Sequence, residues 1–212
     1  MATLEIYWSF RSPYSYLAID RLVSIKRDYA VSVEFRLVRP IALREDGFFE
    51  QGRKQFLPYL IQDAPREAKR LGIQLIMPNP DPIMHDVVTG KVAADQPYMD
   101  KIMPYGLAAN VLGKGFEFSA AMGRKIWSGV VNWHEDENIQ KAAIEAELDY
   151  DDLKAVVVDQ EDRLRSDLER NEAQQTKHHW GVPLMVFDGE PFFGQDRIAS
   201  LVWRLQQNGL KS

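Results

Sequence analysis

Residues 12 to 15, Ser-Pro-Tyr-Ser, could do chemistry because they stand at the start of a predicted helix. Ser12 is where an N-cap belongs, and Pro13 is where the first helical residue belongs. The unpaired N–H groups and positive dipole end of such a helix stabilise a thiolate, and the Ser12 hydroxyl could donate a hydrogen bond to its sulfur. The alternative is a serine that only caps the helix, which is the commoner role of an isolated Ser-Pro pair.

A second group of candidates lies near the end of the chain. Val182 and Pro183 enter a predicted strand. The peptide bond between them is either an ordinary trans bond or a cis bond, which in proteins usually has a specific structural or functional role. Gln195 and Asp196 open the last predicted helix. Asp196 could bind the ammonium group of a small ligand whose carboxylate the helix N–H groups hold, or it could simply offset the helix dipole.

Composition excludes several kinds of chemistry. The 212 residues include no cysteine, so the chain can form no disulfide, no thiolate metal site and no catalytic thiol of its own. The net charge of −5 argues against a general nucleic-acid binder. His178 and His179 are adjacent and point in different directions on a helix, so we expect no metal site there. No signal peptide or apolar run of membrane-spanning length is evident, so we expect a cytoplasmic protein.

The two ends of the chain predict the elements that would position these candidates. Residues 3–10 predict a strand, apolar residues then recur at helical spacing, and residues 32–38 alternate, which together predict a right-handed parallel β-α-β unit. The C-terminal end predicts two strands joined by a hairpin turn at residues 188–189, followed by a helix over residues 195–207.

The middle of the chain, about residues 40–178, predicts helices only. Pro58 and Pro65 should interrupt its first part and leave two shorter helices. Asp63 could cap the second of these, which should end at Leu71-Gly72. Further helices are expected at about residues 97–112, 116–132, 138–147 and 151–178.

These parts predict an α/β protein, a thioredoxin fold that carries an inserted all-helical domain. We assign residues 1–40 and 179–212 to the thioredoxin-like domain and residues 41–178 to the insertion. In such a fold, positions 12 and 15 would hold a redox pair of cysteines, and a cis proline opposite them would offer the backbone of the preceding residue to a peptide-like ligand. Because both positions hold serine, any reactive sulfur would have to come from a ligand.

Three segments together carry a resemblance to a known family. Residues 10–18, FRSPYSYLA, resemble the N-terminal signature of the 2-hydroxychromene-2-carboxylate isomerases and the kappa-class glutathione transferases, which belong to the DsbA-like branch of the thioredoxin superfamily. Residues 181–183, GVP, and 193–197, FGQDR, resemble the C-terminal pattern of the same family. With looser matches between them, the resemblance covers essentially the whole chain.

The resemblance implies that glutathione is the cofactor. Ser12 would then hydrogen-bond the glutathione sulfur, and the backbone of Val182, beside Pro183, would pair with the cysteinyl part. Gln195 and Asp196 would hold the γ-glutamyl group.

Two departures from the family pattern predict a different substrate pocket near residues 40–66. Ser9 stands where the family commonly has an acidic residue, and Phe56 stands where it often has a lysine, with Lys54 two residues away. Pro58 and Pro65 lie in the same predicted helix. The candidate pocket residues are Tyr14, Lys54, Tyr59 and Trp180.

The resemblance implies a glutathione-dependent isomerase or transferase that acts on a small, aromatic-derived substrate and forms a homodimer. The motifs do not separate the isomerase from the transferase. The alternative from another class is a redox-inactive thioredoxin-like module that binds peptides or partner proteins. The absence of cysteine contradicts a thiol–disulfide oxidoreductase.

Overall fold

The computed structural model describes residues 2–52 and 55–211, so the candidate Lys54 lies outside the described residues. Its sheet has four strands in the order β2-β1-β3-β4. The pair β1–β2 is parallel, whereas β1–β3 and β3–β4 are antiparallel. The four strands are β1 (Ala2–Trp8), β2 (Val31–Leu37), β3 (Leu184–Phe187) and β4 (Glu190–Phe193).

The first helix, α1 (Pro13–Asp28), connects the two parallel strands, which confirms the predicted β-α-β unit. Ser12 has an extended backbone and its side-chain oxygen accepts a hydrogen bond from the Ser15 N–H, while Pro13 is the first helical residue. This is the cap that the sequence predicts, because an N-cap oxygen satisfies one of the helix's unpaired donors.

The C-terminal hairpin also forms as predicted. Asp188 and Gly189 have φ values of 50° and 78°, the paired positive values that a tight two-residue hairpin turn requires. The final helix begins as one 3₁₀ turn, Gln195–Arg197, and continues as α9 (Ile198–Gln207).

Seven α-helices and one 3₁₀ turn, Ile41–Leu43, lie between β2 and β3 among the described residues. The α-helices are α2 (Phe48–Gly52), α3 (Phe56–Leu71), α4 (Pro97–Val111), α5 (Gly115–Trp127), α6 (Asp136–Glu145), α7 (Tyr150–Asp159) and α8 (Glu161–Gln175). The thioredoxin fold with helices inserted between its halves is therefore present. The division at residues 40/41 and 178/179 stays a prediction, and the hydrophobic core runs continuously across it.

Two expectations about α3 are wrong. Pro65 does not interrupt this helix, because the carbonyl that loses its donor belongs to Ile61, which is 67% exposed. Pro58 lies in the first turn, where backbone N–H groups lack helical partners anyway. Asp63 lies in the middle of the helix and caps nothing, whereas the helix does end at Leu71, with Gly72 in the left-handed conformation.

Two later helices are also shorter than the sequence predicts. The predicted helix over 151–178 is broken at Gln160, after which α8 reaches the end of β2, where Asn171 donates a hydrogen bond to the Leu37 carbonyl at 3.0 Å. The predicted helix over 116–132 ends at Trp127, before Gly129, whose φ is 91°. Tertiary contacts and one left-handed glycine override the helical periodicity.

Two buried tryptophans hold the loop that leads into α1. The Trp8 indole N–H donates to the Ser15 carbonyl at 3.0 Å, and the Trp127 indole N–H donates to the Phe10 carbonyl at 2.9 Å. The rings of Trp8 and Phe10 meet edge to face at 5.1 Å. Because one tryptophan comes from the sheet and the other from the inserted helices, Ser12 is positioned by both halves of the molecule.

Candidate active site

The start of α1 and the start of β3 meet at Ser12 and Val182. The Ser12 hydroxyl oxygen lies 3.4 Å from the Val182 carbonyl oxygen, to which it donates, although 170 positions separate the two residues. The Val182–Pro183 peptide bond is cis. The two corners singled out in the sequence are thus neighbours in space.

The helix end at Ser12 suits a negatively charged group. The first turn of α1, residues 13–16, contains no acidic side chain, so no carboxylate offsets the dipole there. The Ser12 oxygen already accepts from the Ser15 N–H at 3.1 Å, so its own hydrogen remains to be donated. That hydrogen goes to a neutral carbonyl over a long distance in this structure and could move to a stronger acceptor.

Gln195 and Asp196 differ in what their side chains do. Gln195 is 4% exposed; its amide N–H donates to Glu67 at 2.8 Å, and its side-chain oxygen accepts from the Arg21 guanidinium. Arg21 also donates to the Gln195 backbone carbonyl at 2.8 Å. The Asp196 side chain, by contrast, is 58% exposed. Gln195 therefore anchors the turn, whereas the Asp196 carboxylate, 3.6 Å from the similarly exposed guanidinium of Arg197, is accessible to a ligand.

This turn is tied directly to the cis proline. The Gly194 N–H donates to the Pro183 carbonyl at 2.9 Å. Gly194 has a φ of 99°, and a Cβ atom there would come within 2.5 Å of the Asp196 carboxylate. Glycine at 194 thus leaves room for the Asp196 carboxylate against this turn.

Tyr14 and Tyr59 have different environments. The Tyr14 hydroxyl donates to Asp63 at 2.7 Å, and burial together with this hydrogen bond raises the pKa of Tyr14 well above its usual range, so it stays a neutral donor. Burial opposes ionisation of Asp63, but hydrogen bonds from Tyr14 and Arg66 outweigh it and lower the pKa of Asp63. Tyr59 is 57% exposed and stands outside the cavity wall.

A cavity of about 470 Å³ opens beside Ser12 and Val182. Its wall includes two of the candidate pocket residues, Tyr14 and Trp180. It also includes Ser9 and Phe56, the two residues that differ from the family pattern. Most of the remaining wall is apolar, and its larger apolar side chains are Ile41, Phe48, Phe49, Leu57, Leu60, Ile61, Met77, Ile83, Val87 and Phe193. An apolar wall with a few polar groups is typical of a small-molecule site.

Arg44 is a wall residue that sequence reasoning missed. Its guanidinium donates to the Gln175 side-chain oxygen at 3.0 Å and to the Trp180 carbonyl at 3.2 Å, both of them neutral acceptors. The Arg44 Nε is buried with no hydrogen-bond partner among the described residues. Burial lowers the pKa of Arg44 from its usual value. No sequence pattern marks this arginine, because its partners lie more than 100 positions away.

Three further polar wall residues, Arg11, Asp81 and His85, were also missed. Arg11 donates two hydrogen bonds to Asp81, at 2.6 and 2.8 Å, and this fixes the residue before Ser12. His85 lies against the Phe49 ring, with the ring centres 5.0 Å apart. Arg11 stands inside the segment that carries the family resemblance, but nothing in the sequence pairs it with a residue 70 positions away.

The part of the chain that the structure describes has neither a cluster of metal-ligating side chains nor a helix that could span a membrane. Residues 2–52 and 55–211 contain no group of three or more histidine, aspartate or glutamate side chains placed to hold a metal ion. Within the same residues, no helix has the length and apolar character to cross a membrane.

Comparison with known proteins agrees with this architecture. The family model of the DsbA-like thioredoxin domain matches residues 3–206. A 2-hydroxychromene-2-carboxylate isomerase of Pseudomonas putida is 33% identical over 79 residues, a match that covers 35% of this chain and 39% of that protein. The chain thus matches about two fifths of this relative's length.

Two solved structures illustrate the likeness in fold. A 2-hydroxychromene-2-carboxylate isomerase structure has a TM-score of 0.71 at 19% identity, over 97% of this chain and 95% of that one. The cytosolic disulfide reductase DsbM from Pseudomonas aeruginosa, solved with GSH, has a TM-score of 0.60 at 15% identity, over 96% and 99%. Since the family model spans nearly the whole chain and the fold agrees, this chain belongs to the DsbA-like thioredoxin family.

Proposed function

We propose that this protein is a glutathione-dependent isomerase similar to 2-hydroxychromene-2-carboxylate isomerase, in which Ser12 stabilises the thiolate of bound glutathione. One observation carries the proposal: the Ser12 hydroxyl lies 3.4 Å from the Val182 carbonyl at the edge of an apolar cavity. The chain has no thiol of its own to put there. A ligand that supplies one would complete the site.

Glutathione fits this edge as an extended peptide. Its cysteinyl part would pair with the backbone of Val182, beside Pro183, as a peptide adds to a strand edge. The Ser12 hydrogen would then leave the Val182 carbonyl for the sulfur, since a hydrogen bond to an anion is roughly twice as strong as one between neutral groups. The helix dipole of α1 would add to the effect.

The γ-glutamyl end of glutathione would lie at residues 194–196. Asp196 would bind the ammonium group with its exposed carboxylate. Gln195 would contribute through its backbone, because its side chain is already bonded to Arg21 and Glu67. The same bonds would keep the turn in place before glutathione arrives.

The cavity supports a flat, apolar, anionic substrate. Aromatic side chains such as Phe48 and Phe49 would pack against a ring, while Arg44, whose hydrogen-bond acceptors among the described residues are all neutral, would bind a carboxylate. The thiolate would add to the carbon–carbon double bond of such an acid, the resulting single bond would rotate, and elimination would restore the thiolate. Ser12 would act electrostatically throughout and would not be the nucleophile.

A transferase would use the same thiolate differently. The thiolate would attack an electrophile and the conjugate would leave, so glutathione would be consumed instead of returned. Measuring glutathione before and after turnover of 2-hydroxychromene-2-carboxylate separates the two reactions. A homodimer and a cytoplasmic location stay predictions.

Titration calorimetry with glutathione tests the proposal against the other class of function. We expect one saturable site, and we expect turnover of 2-hydroxychromene-2-carboxylate only when glutathione is present. A redox-inactive peptide-binding module would instead bind extended peptides and show no heat with glutathione at millimolar concentration. That result would overturn the proposed function.

A further inference from the structure

His85 has one ring nitrogen committed to the protein and one left over. Its Nδ1 lies 3.0 Å from the Ile83 carbonyl oxygen. Because a carbonyl oxygen only accepts, Nδ1 carries the hydrogen and Nε2 of the neutral ring is an acceptor. Among residues 2–52 and 55–211, Nε2 has no hydrogen-bond partner.

The loop that carries His85 is held rigidly. The buried side chain of Gln96 accepts from the Met84 N–H at 2.9 Å and donates to the carbonyls of Met84 and Ala93, at 2.9 and 2.8 Å. The Ala93 N–H also donates to the Met84 carbonyl at 2.9 Å. A glutamine that is 6% exposed therefore uses its whole amide to fix the residue next to His85.

A chain of hydrogen bonds links His85 to the residue before Ser12. Asp81 accepts from Arg11 and, through the same carboxylate oxygen, from the Ile83 N–H at 2.9 Å. The Ile83 carbonyl then accepts from His85. The loop bearing His85 is thus placed relative to the start of α1, and both face one cavity.

His85 lines the part of the cavity wall where Phe49 also lies. The ring of Phe49, in α2, packs on the His85 ring with the ring centres 5.0 Å apart, and both residues line the cavity. An acceptor nitrogen that is fixed in a cavity and lacks a protein partner suits proton transfer with a bound molecule. The proposed mechanism assigns no group to that task.

We propose that His85 is the acid–base residue of this cavity and exchanges a proton with a hydroxyl group of the substrate through Nε2. The inference rests on the proposed function. In a cyclic hemiketal such as 2-hydroxychromene-2-carboxylate, the hydroxyl proton passes to Nε2 as the hydroxyl oxygen becomes a carbonyl. The ring C–O bond breaks, its electron pair leaves on the phenolate oxygen, and the imidazolium returns the proton to that oxygen.

The test compares His85→Asn and His85→Ala with wild type, with glutathione and 2-hydroxychromene-2-carboxylate as probes. Asparagine can still donate to the Ile83 carbonyl but cannot take up a proton, so it preserves the loop and removes the chemistry. We expect kcat to fall about 100-fold or more, the size of a general acid–base contribution. Glutathione affinity and the ultraviolet absorbance of the bound thiolate should not change.

Rescue of turnover by added imidazole distinguishes an acid–base role of His85 from a purely structural one. In His85→Ala, imidazole can enter the space left by the side chain, and we expect it to restore part of the lost turnover. The matched control is His178→Asn, because His178 lies outside the cavity wall. We expect that variant to match wild type with and without imidazole.

Contrary outcomes separate this inference from the proposed function. If wild type neither binds glutathione nor turns over the probe, the proposed function fails and the inference falls with it. If wild type is active, turnover by His85→Asn within about threefold of wild type overturns the inference alone. A changed thiolate absorbance, or a loss in His85→Ala that imidazole does not repair, also overturns it.

Discussion

Arg11 donates two hydrogen bonds to Asp81, at 2.6 and 2.8 Å, and so fixes the backbone next to Ser12 to a loop 70 positions further along the chain. The two side chains are 15% and 26% exposed, and the ion pair therefore lies mostly out of solvent. A paired charge of this kind costs stability when only one partner is removed.

Asp81→Asn is expected to lower the free energy of unfolding by about 1–3 kcal/mol, because the guanidinium of Arg11 would keep its charge and lose its charged partner. Urea unfolding measures this change. The matched control is Asp28→Asn, which breaks the exposed pair with Arg27 and should change little. Equal effects of the two substitutions would show that the Arg11–Asp81 bond does not hold the site.

Asp196→Asn is expected to lower glutathione affinity about tenfold or more and to leave stability unchanged, since an exposed carboxylate would lose a charge-assisted bond to the ammonium group. Titration calorimetry checks the affinity. Asp188→Asn, in the hairpin turn, is the control, because asparagine tolerates the positive φ there. Unchanged affinity in Asp196→Asn would place the γ-glutamyl group elsewhere.

Arg44→Gln is expected to raise the KM for 2-hydroxychromene-2-carboxylate about tenfold or more, because the cavity would lose the cation that binds its carboxylate. Arg44→Lys keeps the charge and should recover part of the loss. Glutathione affinity should not move in either variant. If glutathione binding weakens as much as the KM rises, Arg44 supports the cavity as a whole instead of binding the substrate.

Tyr14→Phe is expected to destabilise the protein near neutral pH by about 1 kcal/mol and by less in acid. The hydrogen bond from Tyr14 helps to keep the folded-state pKa of Asp63 below its unfolded value. A carboxyl of this kind contributes stability above its unfolded pKa, near 4, and loses that contribution as the pH falls through its folded pKa. The gap in unfolding free energy between wild type and Tyr14→Phe should therefore narrow as the pH falls below about 4.

Urea unfolding at neutral and acidic pH measures that gap. Tyr29→Phe serves as the control, because the one hydrogen bond of the Tyr29 hydroxyl among the described residues is a long one, accepted from Gln206 at 3.3 Å, and it does not involve Asp63. A gap of equal size at both pH values would show that Tyr14 does not act on the ionisation of Asp63.

The sequence predicted the parts of the site that depend on local backbone chemistry. The pair Ser12-Pro13 predicts the start of a helix, and the pair Asp188-Gly189 predicts a hairpin turn. The meeting of Ser12 with Val182 then follows from the order of strands in the fold.

The parts that the sequence could not predict depend on long-range packing. Arg44 and His85 are ordinary residues until the fold brings them to one cavity, where, among the described residues, Arg44 donates only to neutral acceptors and His85 Nε2 has no hydrogen-bond partner. Nothing in the sequence indicates that the Gln195 side chain is bonded to Arg21 and Glu67, since both partners lie more than 100 positions away. Pro65 stays inside the helix because the carbonyl left without its N–H donor belongs to Ile61, which is exposed.

The pH dependence of turnover in Ser12→Ala tests the central claim most directly. If the Ser12 hydroxyl stabilises the glutathione thiolate, its loss should raise the pKa of the bound thiol, lower turnover and shift the rising limb of the pH–rate profile to higher pH. Ser15→Ala, at the second serine position, is the matched control, since the Ser15 hydroxyl is buried without a hydrogen-bond partner among the described residues. The account predicts a shifted profile in Ser12→Ala and the wild-type profile in Ser15→Ala; an unshifted profile in Ser12→Ala would contradict it.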